Sequence, residues 1–506
     1  MKYSTLTVVP LLSWGSLIVL SGSLGCGGSQ PPHEEPGAGG GADATGGHTG
    51  GAGGRGGGTG GRRDPGGDGG NSSGGVPPQA GPPGCGLEAA AFCESFDEVA
   101  TEKGRAGDLD KKLWSAGRLM PQLPTLPDPF PIGPAKAPAG CRDGLGSLLL
   151  PPEDMLICAP TDGVPSSHAW IAAAAQNYGV SSIRPRQPFD FQGRTGKIVF
   201  DAELATRSML SGFLSVAITE DPTNATSYAI DQNVEGGAVP RNGITFQFAN
   251  PCSSSGVHLS SIIIFREYEQ EIHDKLNGPC ISASRGELRH IEIEVSASKV
   301  AVFAGPVAGT PNLIEELTAE APMTRGYLQL NVHNHATIKY SSDASDPELA
   351  WSVRIDNVGF DGPVIDDYRE YEYADAQKKL TQAIENGTEY EYVAIGHRLR
   401  GESQFTKFEF DDVDPEGMGR ALAAFSFWSL HEPKDEAAVL YKWNGGAVQT
   451  QSVIVATDAW GAIALSLDIP INEVKKGKNT LEFATKNVDM NYPPAIANLD
   501  LVLTPD

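Results

Sequence analysis

One segment, Asn331-Val332-His333-Asn334-His335-Ala336-Thr337-Ile338-Lys339-Tyr340, gathers a dense set of chemically useful side chains. If it is a strand, its period of two puts Asn331, His333, His335, Thr337 and Lys339 on one face and Val332, Ala336 and Ile338 on the other. Such a row can hydrogen-bond sugar hydroxyls or a carboxylate. His333 and His335 could alternatively chelate a transition metal, or one could act as a general base, although Tyr340 falls on the opposite face. The plainer alternative is a pair of surface histidines on an exposed sheet. Arg184, Arg186, Gln187 and Gln247 are candidates for the same cleft. A second constellation is His290-Ile291-Glu292-Ile293-Glu294, in which His290, Glu292 and Glu294 share a face. Glycoside hydrolysis needs two carboxyl groups across a sugar cleft, so Glu292 and Glu294 are candidate catalytic residues. Any half-exposed strand shows the same alternation. No G-x-S-x-G, H-E-x-x-H, P-loop or dinucleotide fingerprint is present. Binding is favoured over chemistry.

These side chains need a β framework, and the sequence supplies one. Short apolar runs separated by turn residues recur at Gly196–Glu203, Gly212–Thr219, Gly243–Ala249, Leu259–Tyr268, Leu288–Val295, Lys299–Ala304 and Gly326–Tyr340. Regular strand spacing of this kind predicts an all-β sandwich. Helices are expected only at Asn312–Ala319 and Ala374–Asn386. Further strands are expected at Tyr390–Arg398, Leu422–Ser429, Ala438–Trp443, Ala462–Ile469, Thr480–Ala484 and Ala497–Leu503, with Asn444-Gly445 as a turn. The acidic run Glu409–Asp414 reads as a charged loop. Trp428, Trp443, Trp460 and Tyr492 are available either as sugar platforms or as core residues.

The 506-residue chain holds 63 acidic and 38 basic residues, a formal charge of −25. That balance argues against a nucleic-acid partner, whose phosphates demand Lys/Arg surfaces. Residues 27–84 contain 25 of the 61 glycines and almost no large apolar side chain. Such composition cannot offset its ordering entropy, so a disordered tether is expected. Its reach would be on the order of 40 Å. Before it, Lys2 and a broken apolar run end in Ser21-Gly22-Ser23-Leu24-Gly25-Cys26, which resembles a bacterial lipoprotein lipobox with Leu24 one position late. The resemblance implies lipidation of Cys26, export and anchoring in the cell envelope. Gly27 stands where an Asp would signal inner-membrane retention, which points to the outer membrane. Of seven cysteines, six then remain, and the sequence-local scheme pairs Cys85–Cys93, Cys141–Cys158 and Cys252–Cys280. No zinc-type spacing occurs.

Phe92-Cys93-Glu94-Ser95-Phe96-Asp97, Leu113-Trp114-Ser115, Ile183-Arg184-Pro185-Arg186-Gln187-Pro188-Phe189-Asp190-Phe191 and the closing Asp356-Asn357-Val358-Gly359-Phe360-Asp361 resemble the concanavalin A-like lectin/glucanase superfamily over about residues 92–363. The resemblance implies a jelly roll, a fold that hosts lectins, hydrolases, lyases and adhesion modules. The paired-carboxylate motif of its family 16 glucanases is missing. Gly477–Phe483 and Asn498–Leu503 resemble galactose-binding-like jelly rolls and carbohydrate-binding modules, which implies a structural calcium at Asp500. The expected organisation is a signal peptide (1–25), lipidated linker (26–84) and two β-sandwich jelly rolls (85–364 and 365–506). The expected protein is a monomer that binds polysaccharide and touches the membrane through its lipid alone. The alternatives are a glycoside hydrolase or polysaccharide lyase of the same fold, and a structural or adhesive envelope protein.

Overall fold

Alternation of apolar and polar residues resolves into strands throughout the computed structural model. It describes residues 81–98, 101–102, 105, 109–119, 157–158, 169–173, 180–204, 212–224, 237–253, 256–274, 279–284, 287–318, 323–334, 351–365, 367–373, 397–399, 401–428, 438–453, 462–486 and 494–505. Among these the one helical element is a 3-10 turn, Ile471–Glu473. Asn312–Thr318, expected as helical, is an edge strand paired with Lys299–Pro306. Its Ile314 and Leu317 imitate helical spacing, but both pack partly buried against the first core, and the ladder satisfies the backbone instead. Thr406–Val413, containing most of the acidic run, is likewise a strand, because Phe408, Phe410 and Val413 are buried beneath its charged face. The expected helix Ala374–Asn386, the signal segment, Cys26 and the glycine-rich tract up to residue 80 lie outside the described residues.

The first sandwich has two sheets. The outer sheet runs Asn312–Thr318, Lys299–Pro306, Arg289–Val295, Gly196–Ala202, Trp351–Asp361, Ala169–Ala173 and Ile157–Cys158, with Ala90–Glu94 also paired to Trp351–Asp361. The inner sheet runs Glu269–Asp274, Gly256–Arg266, Gly243–Ser253, Gly212–Thr219, Arg325–Asn334, Val180–Pro185 and Trp114–Leu119, joined by Cys280–Ser282 and Phe189–Asp190. Every described pairing within both sheets is antiparallel. Ile198, Phe200, Ile291 and Ile293 from one sheet meet Leu214, Val216, Phe246 and Leu330 from the other in one core. Each such side chain contributes about 1.5–3 kcal/mol on burial.

The second sandwich pairs a six-stranded sheet with a four-stranded one. The former runs Arg369–Glu372, Ala495–Thr504, Arg420–Trp428, Ala462–Ile469 and Ala238–Val239, with His397–Arg398 on Ala495–Thr504. The latter runs Thr406–Val413, Gly477–Thr485, Ala438–Trp443 and Gln449–Ser452. Ala238–Val239, which precedes the inner-sheet strand Gly243–Ser253, joins in parallel to Ala462 and Ile463. Residues 75–506 form one compact unit. The two sandwiches meet along a seam of small residues: Ala462, Ala464, Ala495 and Ala497 cluster with Leu119, Val180 and Ala238. Close approach is enforced at Gly117, where a Cβ would stand 2.6 Å from the Cβ of Asn224. Ile263 and Phe265 of the inner sheet are buried in the core cluster of the second sandwich.

Two disulfides are present among the described residues, Cys85–Cys93 and Cys252–Cys280, both in the sequence-local pairing. Cys141 lies outside the described residues. The Cys252–Cys280 bridge ties Gly243–Ser253 to the short strand at Cys280 across 28 residues. Replacing both cysteines by Ala is expected to lower unfolding free energy by about 2–4 kcal/mol, read from urea denaturation with and without reductant. A reductant-insensitive wild-type curve would contradict this.

Candidate functional site

The inner sheet turns its apolar residues into the first core and a polar face toward the second sandwich. Leu328, Leu330 and Val332 enter the core, so strand period two sends Gln329, Asn331 and His333 to the seam. The same rule places Ser215 and Thr219, Thr245 and Gln247, and Ser182 and Arg184 on that face. All of these side chains are buried. Strand register lines several of them up. Ser182 stands opposite Asn331, Asn331 opposite Ser215, Ser215 opposite Gln247, and Gln247 opposite Ser261. The result is a straight polar row across five strands.

Within the row, Ser261 donates to Gln247 Oε1 at 2.8 Å and Ser260 to the Gln247 carbonyl at 3.1 Å. Both amide atoms of Asn331, the amide nitrogen of Gln247 and the hydroxyls of Ser182 and Thr245 have no hydrogen-bond partner. Asn331 is fully buried. An unsatisfied buried polar group costs about 1–3 kcal/mol, so several on one face form a costly, specific surface. His333, one residue pair further along, packs edge-on against Phe213 with ring centroids 4.5 Å apart. His335 and Lys339 lie outside the described residues.

Arg184, Arg186 and Asp500 come together in an ion-pair network that joins the sandwiches. Arg184 Nη2 donates to Glu370 Oε1 at 2.6 Å and its guanidinium lies 5.2 Å from the centre of the Tyr327 ring. Arg186 donates to the Glu370 and Trp114 carbonyls at 2.6 and 3.1 Å and pairs with Glu372 at 3.0 Å. Arg105 bonds Asp500 at 2.6 Å and the carbonyl of Ala116, and Asn224 donates to the same Asp500 oxygen at 2.9 Å. Three guanidiniums thus face three carboxylates. Burial pushes Asp500 up to about 7; Arg105 opposes the shift, and Glu370 and Glu372 reinforce it. For Glu370 burial is again the largest influence, but Arg184 and Arg186 outweigh it and hold the carboxyl below its ordinary range. Among the described residues no group of three or more His, Cys, Asp or Glu is arranged to hold a metal ion.

Of the residues the sequence grouped as one cleft, Asn331, His333, Gln247 and Arg184 are buried on one face of the inner sheet, while Arg184 and Arg186 are taken up by Glu370 and Glu372. Sequence reasoning missed Arg105, Glu370 and Glu372, which have no local pattern because their partners are up to 395 residues away. It also missed Ser182, Ser215 and Ser261. Their signal was a serine at an outward position of three otherwise apolar strands, visible only once the register is known.

Glu292 and Glu294 lie on the opposite, outer sheet. They flank one ammonium, with Lys197 Nζ 2.6 Å from Glu292 and 3.3 Å from Glu294. On the same face His290 Nδ1 and Asn357 Nδ2 each lie 2.8 Å from Asp201. Asp356 sits at a bulge where the register slips between Asp356 and Gly359 and Asn357 takes a positive φ of 48°. Burial pushes Asp356 up to about 6; the Asn357 N–H pulls it back, while the Asp201, Asp97 and Glu94 carboxylates add to the rise.

No family model and no curated protein matches the chain. Solved structures do. The chain is similar to LamAcat from Zobellia galactanivorans (14% identity, 54% of this chain and 97% of that one, TM-score 0.33). It is also similar to the Bacillus licheniformis β-glucanase (12%, 53% and 96%, TM-score 0.27). A third is the carbohydrate-binding module CBM66 from Bacillus subtilis (9%, 41% and 92%, TM-score 0.23). None of these likenesses assigns a site residue here.

Two predictions follow from the geometry. Arg184→Ala leaves Glu370 buried without its partner and is expected to cost about 3–5 kcal/mol by urea denaturation, whereas Arg184→Met/Glu370→Met recovers most of that loss. For Asp356, a folded pKa above the ordinary 3.8 means that its stabilising contribution is complete below that value and disappears as pH rises through about 6. Asp356→Asn should therefore flatten the melting temperature between about pH 4 and 6 and raise it at alkaline pH. A profile parallel to wild type would refute the assignment.

Proposed function

We propose that this protein is a carbohydrate-binding lipoprotein of the cell envelope that does not cleave its ligand. The observation that carries the reading is the buried row Ser182–Asn331–Ser215–Gln247, in which Asn331, Gln247 and Ser182 present unpartnered donors and acceptors. A sugar hydroxyl both donates and accepts, and a primary amide offers one group of each kind, so an amide row suits adjacent hydroxyls. The carboxylates that reach the seam, Glu370, Glu372 and Asp500, are each matched to an arginine. A pair free to act as acid and base is not among the described seam residues, which favours binding over hydrolysis or lyase chemistry. The row is buried, so a ligand reaches it only when what covers this face of the sheet moves aside. Anchoring through Cys26, with an outer-membrane location, is supported by the lipobox-like segment and by the even number of cysteines left once Cys26 carries lipid. Asp500 does not fit a calcium site, because Arg105 and Asn224 occupy its Oδ2 and the described residues bring no further carboxylate set to its Oδ1.

The test combines a glycan array, calorimetric titration with oligosaccharides and a reducing-end assay on the mature chain. Wild type is expected to bind without releasing reducing ends. Asn331→Ala/Gln247→Ala should weaken binding about tenfold with at most a modest fall in melting temperature, because it deletes unsatisfied amide groups but also the Ser261–Gln247 hydrogen bond. Intact binding with a lower melting temperature would make the row a structural feature.

A second reading, a structural or adhesive envelope protein, is favoured by a different observation: Arg105, Arg184 and Arg186 lock the sandwiches across the face where a ligand would lie. Absence of both binding and turnover on the panel would select it.

A further inference from the structure

The outer side of the first sandwich carries a cavity of about 690 Å³, away from the seam. That volume lies within the range of about 300–1,000 Å³ usual for small-ligand sites. One wall is the segment 86–89, held by the Cys85–Cys93 bridge. The other is the turn carrying Gln192 and Arg194, and Asp361, Lys197 and Glu292 form the remainder. Lys197 is already matched, its ammonium by Glu292 and Glu294 and its N–H by Asp361 Oδ1 at 3.0 Å. Arg194 and Gln192 are different. Both are exposed at the rim, and neither side chain has a hydrogen bond or close ion pair with the described residues, the Arg194 charge acting on Asp361 only at longer range.

We propose that this groove is a second ligand site, one that takes a neutral sugar unit or short oligosaccharide. The charges select the class. Two cations and three carboxylates, Glu88 included, nearly balance within the groove, and a polyanion would be repelled by a protein of net charge −25. Arg194 and Gln192 supply donors, while Asp361 and Gln192 supply acceptors, the mixture that neighbouring hydroxyls satisfy. Leu87 and Pro363 back the groove as buried apolar side chains. The groove is open to solvent, so its ligand binds without parting the sandwiches. The assignment comes from the groove's own donors and acceptors and goes beyond the reading of the inner row.

Calorimetric titration of the mature full chain with a panel of neutral mono- to tetrasaccharides, hexuronates and amino sugars tests it. Wild type is compared with Arg194→Ala/Gln192→Ala and with Asn331→Ala/Gln247→Ala. The expected result is a saturable component for a neutral sugar that weakens about tenfold in the groove variant and is unchanged in the inner-row variant. Both groove side chains are exposed, so the melting temperature should not move. A component that survives the groove variant but is lost from the inner-row variant overturns the groove and spares the carbohydrate reading. Saturable binding confined to charged sugars, or no saturable component at all, overturns the proposal.

Discussion

Arg184 and Glu370 meet at 2.6 Å with no side-chain surface exposed on either, and the arrangement of the two sandwiches depends on that contact. Burying two charges is expensive, and their mutual attraction repays the cost only when geometry and further hydrogen bonds are good. Arg186, Arg105, Glu372 and Asp500 provide that surrounding support. The net gain in stability from such a network is small, but separating any one pair would strand a charge in the interior. The network therefore fixes orientation more than it adds stability. The alanine-rich contact beside it, Ala462, Ala464, Ala495 and Ala497, would by itself tolerate sliding, because small apolar faces interlock weakly.

Much of the architecture was legible in the sequence because each strand announces itself through a two-residue period. Leu328, Leu330 and Val332 alternate with Gln329, Asn331 and His333, and the structure divides them as that pattern requires. What sequence could not reveal was that the polar half of the alternation would also be buried. Alternation says that two faces differ, and it is silent on whether water or a second sandwich covers the polar one. His333 illustrates the point, since its position on the strand was readable and its packing against Phe213 was not. Asn312–Thr318 failed for a related reason: an edge strand with apolar residues on both faces has no clean period, and Leu313 remains exposed.

The two faces of the first sandwich show opposite treatments of polar residues. On the outer sheet, Lys197, Glu292 and Glu294 neutralise one another at a partly solvated surface, where such pairs contribute little and cost little. On the inner sheet, amides and hydroxyls are sealed without complete pairing, where every missing hydrogen bond counts. Carboxylates on the outer sheet share their charge with water, whereas those sealed at the seam, Glu370, Glu372 and Asp500, are each matched to an arginine.

The parallel pairing of Ala238 and Val239 with Ala462 and Ile463 interleaves the chain. A strand that comes early in synthesis is lent to a sheet whose other members emerge more than a hundred residues later. The second sandwich borrows part of its edge from earlier in the chain, so cutting the gene at the apparent boundary would leave Ala462 and Ile463 without that partner. Bare edges recruit other chains, and a fragment made this way invites oligomerisation. The pairing also orders biogenesis: the amino-terminal sandwich must wait with Ala238–Val239 uncommitted until the carboxy-terminal strands arrive.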